Sequence, residues 1–595
     1  MKWNSRIRCA LVCIVFTMLF SVFSFRLVYL QIVRHQHYSE LAAGRVKPQV
    51  IFAERGTIVD ANGDELARNI PSEMVVADVK NVTHLTELVP LLARALDLPV
   101  DKLNEKLSGD RGEVVLKREV PQATTRALRE QLCAQKDPIT KKTVREEFRG
   151  IIFRHDTKRT YPNGAMLCHV IGFTDFDHEG IQGVEKSMND YLRPQDGYKI
   201  IERSAAGQEI VFYRGQERAP RDGDRIQLTV DLNLQNIVEN EIDAAMREYQ
   251  PEKATIILMR PETGEILAMA NRPAFDLNLR AEAKPEQMKN RAIIDMMEPG
   301  STFKIVTAAA ALNEKAVRPD SEIFCENGLW NYGGRPLHDH HPYGSLSVQD
   351  ILIKSSNIGA AKLALSVGEQ KFYEYIRRFG FGDPTGIELP GEIPGVIRAP
   401  HKWSKISITR IPMGHEVGVT PLQMTVAMAA IANGGKLVAP RIVKSITDAN
   451  GKATPLPPTI VRQVIDPQTA LQISTALRGV VSDRGTAAGA AVPGFTVCGK
   501  TGTAQKVGPN GGYEHGKYVV SFSGYMPAEH PAFVALVVLD DAKTKAEQNY
   551  GGTVSGPIFA RIAEKAARYL DLEPHEEIRR AMPAGQVALT NPTRR

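Results

Sequence analysis

Three short segments constrain this chain more than any bulk property: Ser301-Thr302-Phe303-Lys304, Ser355-Ser356-Asn357 and Lys500-Thr501-Gly502, in that order. Each taken alone is a helix cap, a turn or a strand edge, and recurs by chance in long chains. Together they require a fold that carries three distant segments to one point. Pro299-Gly300 followed by the Ala-, Val- and Ile-rich run Thr302 to Leu312 predicts a helix with Ser301 at its N-terminus. Ser301 and Lys304, three apart, then share one face. A neutral Lys304 amine can take the Ser301 proton, provided burial or nearby cations bring its pKa down from about 10.4.

The other two segments supply the remaining parts of a serine acyl-transfer site. Ser355 lies between an apolar run and a helix starting near Ile358. Its hydroxyl can relay a proton between Lys304 and a leaving nitrogen, and Asn357 can bond both Lys304 and a substrate amide. Thr496-Val497-Cys498-Gly499 reads as a strand leading into Lys500. A strand edge binds an extended peptide through its backbone. The Lys500 cation with a hydroxyl of Thr501 or Thr503 suits a terminal carboxylate. Gly502 removes a side chain where substrate comes close. The backbone N–H groups of Ser301 and Thr503 are the candidate oxyanion donors.

The 595 residues are too many for one core and predict two or three domains. A formal net charge of +6 on a chain this long is mild and does not by itself call for an anionic partner. Cys9, Cys13, Cys133, Cys168, Cys325 and Cys498 form no C-x-x-C pair and announce no disulfide framework. Lys2, Arg6 and Arg8 precede an uncharged run from Cys9 to Phe25. No small-residue cleavage site follows closely, so a retained membrane anchor is expected, lengthened by a snorkelling Arg26. The basic flank places the N-terminus in the cytoplasm and the chain after about residue 40 outside it.

From Pro48 to Gly215 the pattern is mixed strands, turns and charged helices, with a turn at Asn62-Gly63 and short helices over Leu88–Leu98 and Ala123–Leu132. Pro90 falls in the opening turn of the first. Arg214 to Asp224 is the candidate boundary. Beyond it come a helix over Leu232–Met246 and a hairpin of residues 255–259 and 266–270. Helices dominate from Phe303 to Asn433. Strands return at 496–504, 519–525 and 533–539, and a helix over 557–570 closes the domain. This is an α/β (α+β) architecture in which the last strands pair with the first hairpin. His338-Asp339-His340-His341 reads as a polar loop beside the cleft, because adjacent histidines in a Gly- and Pro-rich stretch seldom close a tetrahedral metal site. His415 and Glu416 are placed near the cleft by position alone.

At these residues the chain resembles the class B penicillin-binding proteins, the membrane-anchored D,D-transpeptidases of bacterial cell-wall synthesis. The resemblance spans nearly the whole chain. Arg55-Gly56-Thr57-Ile58-Val59-Asp60, Arg159-Thr160-Tyr161-Pro162 and Gly180-Ile181-Gln182-Gly183-Val184-Glu185 look like motifs of the non-catalytic pedestal. Ala61 stands where Arg is usual. Glu298-Pro299-Gly300-Ser301, Val419-Thr420-Pro421-Leu422-Gln423 and Gly499-Lys500-Thr501-Gly502-Thr503-Ala504-Gln505 match the transpeptidase domain, with Cys498 where a small residue is usual. The segments Ile171–Thr174 and Tyr518–Ala528 are most similar to the division-specific (septal) member.

The resemblance implies a penicillin-binding/serine β-lactamase-like transpeptidase domain over 223–575, a mixed α/β pedestal (dimerisation-type) domain over 41–222, an anchor over 1–40 and a disordered tail over 576–595. It implies that Ser301 attacks a D-Ala-D-Ala stem peptide, expels the last D-Ala and passes the acyl group to an amine of a neighbouring stem. It implies acylation by β-lactams, no metal and no organic cofactor. The implied partners are a polytopic glycosyltransferase and other division proteins, and nucleic acid is not among them. The rivals are an elongation-type transpeptidase, a hydrolase on the same fold (a D,D-carboxypeptidase or β-lactamase), and a non-enzymatic β-lactam-sensing or scaffold protein.

Overall fold

The computed structural model describes residues 5–43, 46–109, 112–136, 143–145, 147–202, 217–508, 512–544 and 549–574. The tail expected beyond Glu576, and the start of the expected Arg214–Asp224 boundary, lie outside the described residues. The chain forms two compact units, Met1–Glu54 with Pro194–Gly223, and Arg55–Arg193 with Asp224–Arg595.

In the first unit a helix runs over Ser5–Val28 without burying any residue. Its 24 residues give about 36 Å, more than the ~30 Å hydrocarbon core of a bilayer. The uncharged run to Phe25 reaches only the short limit, and an extension past a snorkelling Arg26 was expected. The helix does pass through Arg26, and the membrane-length apolar stretch covers Ser5–Val33. Phe16, Phe20 and Phe25 are exposed, which fits a single-pass membrane anchor. The unit also holds strand Val46–Ile51 paired antiparallel with Gly197–Glu202.

In the second unit, the pedestal residues build on one long strand, Glu65–Asp78, flanked by Glu113–Pro121 and Ile151–Thr160. Leu88, Val89, Leu92 and Leu96 of helix Leu85–Leu96 join Leu103, Leu107, Leu116 and Leu128 in a separate small core under this sheet. The helix starts three residues before the expected Leu88, so Pro90 lies in its interior and not in its opening turn. The four buried apolar side chains offset the backbone bond that Pro90 cannot make. The expected Asn62-Gly63 turn is present. Asp60 Oδ1 accepts from Asn62 N at 2.7 Å and Asp64 N at 2.9 Å, and Gly63 takes φ +98°. Strand Ile58–Val59 pairs with both Glu65–Asp78 and Arg225–Leu228, and Val443–Thr447 continues the sheet. One seven-stranded sheet therefore carries both pedestal and downstream residues.

The transpeptidase core is a five-stranded antiparallel sheet. Its strands are β1 (Lys253–Met259), β2 (Ile266–Arg272), β3 (Cys498–Val507), β4 (Tyr513–Met526) and β5 (Phe533–Asp540), in spatial order β2-β1-β5-β4-β3. The expected pairing of late strands with the early hairpin is the β1–β5 ladder, with Thr255 opposite Val538. β1, β2 and β5 are buried along almost their whole length, which is why they read as unbroken apolar runs. Helices Leu232–Tyr249 and Ser555–Tyr569 pack together on the sheet, and Lys304–Asn313, Pro421–Ala432 and Pro467–Val480 form the other layer. Pro421–Ala432 is apolar all round because it is enclosed on every side. This leaves β3 as an edge strand, and the catalytic motifs collect there.

Candidate active site

Ser301 sits in a 3₁₀ turn, Gly300–Phe303, and the α-helix begins at Lys304 rather than at Thr302. In a 3₁₀ turn residues i and i+3 eclipse, so the spacing still stacks Ser301 over Lys304. Gly300 adopts φ +55°, and a Cβ there would come within 2.9 Å of the Thr503 carbonyl oxygen. Glycine thus lets the turn touch the backbone of β3, bringing the amides of Ser301 and Thr503 onto contacting segments. Gly502 serves the same approach. A Cβ at Gly502 would collide with Ser521 Oγ and come within 2.9 Å of Pro299 O, so this glycine makes room for the protein's own turn.

The three motifs meet at one hydroxyl. Lys304 Nζ donates to Ser355 O at 2.5 Å, Ser355 Oγ at 3.2 Å and Asn357 Oδ1 at 2.8 Å. Lys500 Nζ donates to the same Ser355 Oγ at 2.9 Å and reaches Thr501 O at 3.3 Å. Ser355 closes helix Val348–Lys354 with φ +60°, a conformation uncommon for a residue with a side chain. That backbone aims its carbonyl and hydroxyl back at the lysines. Among the described residues, nothing hydrogen-bonds the Ser301 hydroxyl, which opens to a cleft of about 450 Å³. Thr501, Thr503, Thr486, His340, Tyr550 and Gly551 line the same cleft.

Both lysines are buried, at 1% and 0% exposure. Burial brings the Lys304 amine down to about 7, against the opposing pull of Asp339. Burial, with repulsion from Lys304, holds the Lys500 amine well below its ordinary range. Burial and the two lysines also keep the His340 ring below the usual histidine value. Lys304 is therefore poised to be neutral, as a proton acceptor near pH 7 must be.

Several parts were not legible in the motifs. Asp339 holds the Ser355-Ser356-Asn357 segment in place. It accepts from Ser356 Oγ at 2.6 Å, from Ile358 N at 3.1 Å and from Asn357 N. Asn357 Nδ2 in turn donates to His338 O at 2.9 Å. The polar loop thus bears on the site through Asp339 and the His338 carbonyl. Gly551 N donates to Thr503 Oγ1 at 3.2 Å, and a Cβ on Gly551 would collide with Ser521 O and Gly502 O. The Gly551-Gly552 pair was the sequence signal for this close approach. His415 and Glu416 do not line the cleft: Glu416 bonds Arg398 at 3.0 Å and Ser407 at 2.7 Å, and His415 lies against the Tyr513 ring. Cys498 is buried with its thiol pushed up to about 12 by burial, an inert core residue.

The family of the penicillin binding protein transpeptidase domain matches residues 254–564, and that of the penicillin-binding protein dimerisation domain matches residues 50–228. The chain is 32% identical to a probable peptidoglycan D,D-transpeptidase PenA of Neisseria meningitidis, over 96% of this chain and 94% of that one. It belongs to the class B penicillin-binding proteins. Within that family it is also 32% identical to the peptidoglycan D,D-transpeptidase FtsI of Escherichia coli, over 89% of this chain and 86% of that one. The same identity holds to the stage V sporulation protein D of Bacillus subtilis, over 95% and 86%. Penicillin binding protein 3 of Mycobacterium tuberculosis, solved with aztreonam, superposes with a TM-score of 0.68 at 27% identity, covering 89% of this chain and 98% of that one.

Proposed function

We propose that this class B penicillin-binding protein is the septal peptidoglycan D,D-transpeptidase of its cell, working through an acyl-enzyme on Ser301. The observation that carries the acyl-enzyme chemistry is the convergence of Lys304 and Lys500 on Ser355 Oγ with an unengaged Ser301 hydroxyl in the same cleft, and the septal role is supported by the likeness to FtsI. In this reading neutral Lys304 takes the Ser301 proton, and Ser301 attacks the penultimate D-Ala carbonyl of a stem peptide. The N–H groups of Ser301 and Thr503 receive the developing oxyanion. Ser355 passes the proton to the leaving D-Ala nitrogen, and Asn357 holds Lys304. Lys500, Thr501 and Thr503 hold the terminal carboxylate, while Gly502 lets β3 close on the nucleophile's turn. β-Lactams acylate the same serine.

The Ser5–Val33 stretch fits a single-pass anchor, and the basic N-terminal flank favours a catalytic domain outside the cytoplasm. The proposed domains are the anchor over 1–40, the pedestal over 41–222, the transpeptidase over 223–575 and a tail over 576–595. The partners in this reading are a polytopic glycosyltransferase and other division proteins. Labelling with a fluorescent penicillin, followed by intact mass on wild type and Ser301→Ala, tests the chemistry; a wild-type adduct that survives in Ser301→Ala overturns the nucleophile. Depletion tests the division role: filamentation with midcell localisation supports it. Rounded cells would favour elongation, and a defect confined to spores would favour the sporulation branch.

A further inference from the structure

Transpeptidation has a second substrate, an amine that arrives as an ammonium ion, and nothing in the three motifs receives a cation. Glu298 lies three residues before Ser301, at most about 10 Å of chain away. It lines a second cavity, of about 320 Å³, with Met297, Ala504, Gln505 and Lys506. Ala504 directly follows Thr503, which lines the Ser301 cleft, so the two cavities are lined by successive residues of β3. The Glu298 carboxylate is fixed on neutral donors: Glu416 N at 2.9 Å and Tyr513 Oη at 3.1 Å. The other carboxylates of this cavity have cations. Asp540 faces Lys506 at 3.0 Å, and Asp295 has Arg291 at 2.9 Å. Among the described residues no cation lies within ion-pair distance of Glu298. A half-buried carboxylate positioned by neutral hydrogen bonds, without a counter-ion among the described residues and three residues before the nucleophile, is an open seat for a cation.

We propose that Glu298 binds the ammonium group of the acyl acceptor and positions it for attack on the Ser301 acyl-enzyme. This rests on the transpeptidase reading above. The acceptor ammonium gives one proton to neutral Lys304, and the freed lone pair attacks the ester carbonyl. The C–N bond forms and the bond from carbonyl carbon to Ser301 Oγ breaks. The second nitrogen proton passes to Ser301 Oγ, and Lys304 releases its proton to solvent.

The test measures partition on the full chain in detergent. The protein is acylated by a thioester analogue of the stem peptide in increasing concentrations of a D-amino acid, and aminolysis and hydrolysis products are counted alongside the acylation rate. In Glu298→Gln the aminolysis-to-hydrolysis ratio should fall at least tenfold more than acylation does, and Glu298→Asp should recover part of it. Tyr513→Phe, which removes one donor holding the carboxylate, should lower the ratio severalfold and decides the matter if Glu298→Gln does not fold. Acylation and aminolysis falling in parallel, or an unchanged ratio, overturns the acceptor role and leaves the transpeptidase reading standing. A wild type that only hydrolyses, with any primary amine, overturns both.

Discussion

Two clusters of deeply buried charge lie in this chain and follow opposite rules. In the pedestal, Glu185 sits between two guanidinium groups, with Arg55 Nη2 at 2.8 Å and Arg159 Nε at 2.7 Å, all essentially without exposure. Opposite charges there satisfy one another, and Arg55 also ties down Asn189 and the His178 carbonyl at 2.8 Å each. At the cleft, Lys304 and Lys500 are equally buried but share a neutral hydroxyl instead of an anion. A paired cluster joins β-strand to helix and stabilises the fold as a whole. An unpaired one is held by the rest of the fold, and the cost of its burial lowers the pKa that chemistry needs. If this contrast is right, breaking each cluster has a different signature.

The largest effect should come from Lys304→Met. Removing a general base typically costs 10²–10⁴-fold in rate, and penicillin acylation should fall by that order. Stability should hold or rise, because a buried amine without an anionic partner is replaced by an apolar chain of similar length. A loss of Tm with Lys304→Met would break the contrast. Glu185→Ala should do the reverse. It leaves two buried guanidinium groups facing each other and should cost about 3–5 kcal/mol, read as a fall in Tm or denaturation midpoint. Protein that does remain folded should still acylate.

The pH profile separates the clusters further. Lys304 is brought down to about 7, so its neutral, proton-accepting form is lost as pH falls. Acylation should decline about tenfold per pH unit below that point. The stability sign follows from the same shift. Between about 7 and the ordinary lysine range the unfolded chain binds more protons than the folded one, so stability rises with pH through that window. Lys304→Met should flatten part of this slope, measured by denaturant titration at several pH values. A wild-type slope unchanged by the substitution would count against a buried neutral lysine.

The two clusters also differ in how far the sequence disclosed them. The catalytic one was legible because its residues form short motifs whose order and element types are diagnostic together. Even so, the turn at Ser301 is 3₁₀ where an α-helix was expected, since Pro299 and a left-handed Gly300 set a tighter entry than the Ala-rich pattern shows. Asp339 was read only as part of a polar loop beside the cleft, and its capping role was hidden because it caps a helix from well upstream, where no periodicity links the two. In the pedestal the family motifs named Arg55, Arg159 and Glu185, but not that they converge. Strand Glu65–Asp78 was not singled out either. It contains Pro71 and, central between two partners, buries side chains without clean alternation, so neither strand period nor turn chemistry marks it.

The smallest effect sharpens the boundary between the two rules, because Asp339 is, among the described residues, the anion whose field reaches Lys304. It opposes burial by favouring the charged amine, yet its own oxygens are committed to Ser356 Oγ and the amides of Asn357 and Ile358. Asp339→Asn keeps one carbonyl acceptor and removes the charge. The amine should then lose its proton more easily, moving the acid limb of the acylation profile to lower pH. The weakened cap should cost about 1 kcal/mol. The two readouts are independent. A limb that stays in place while stability falls would make Asp339 a cap alone; a limb that moves to higher pH would mean that charge at this position never acted on Lys304, and that the site's pKa is set by packing.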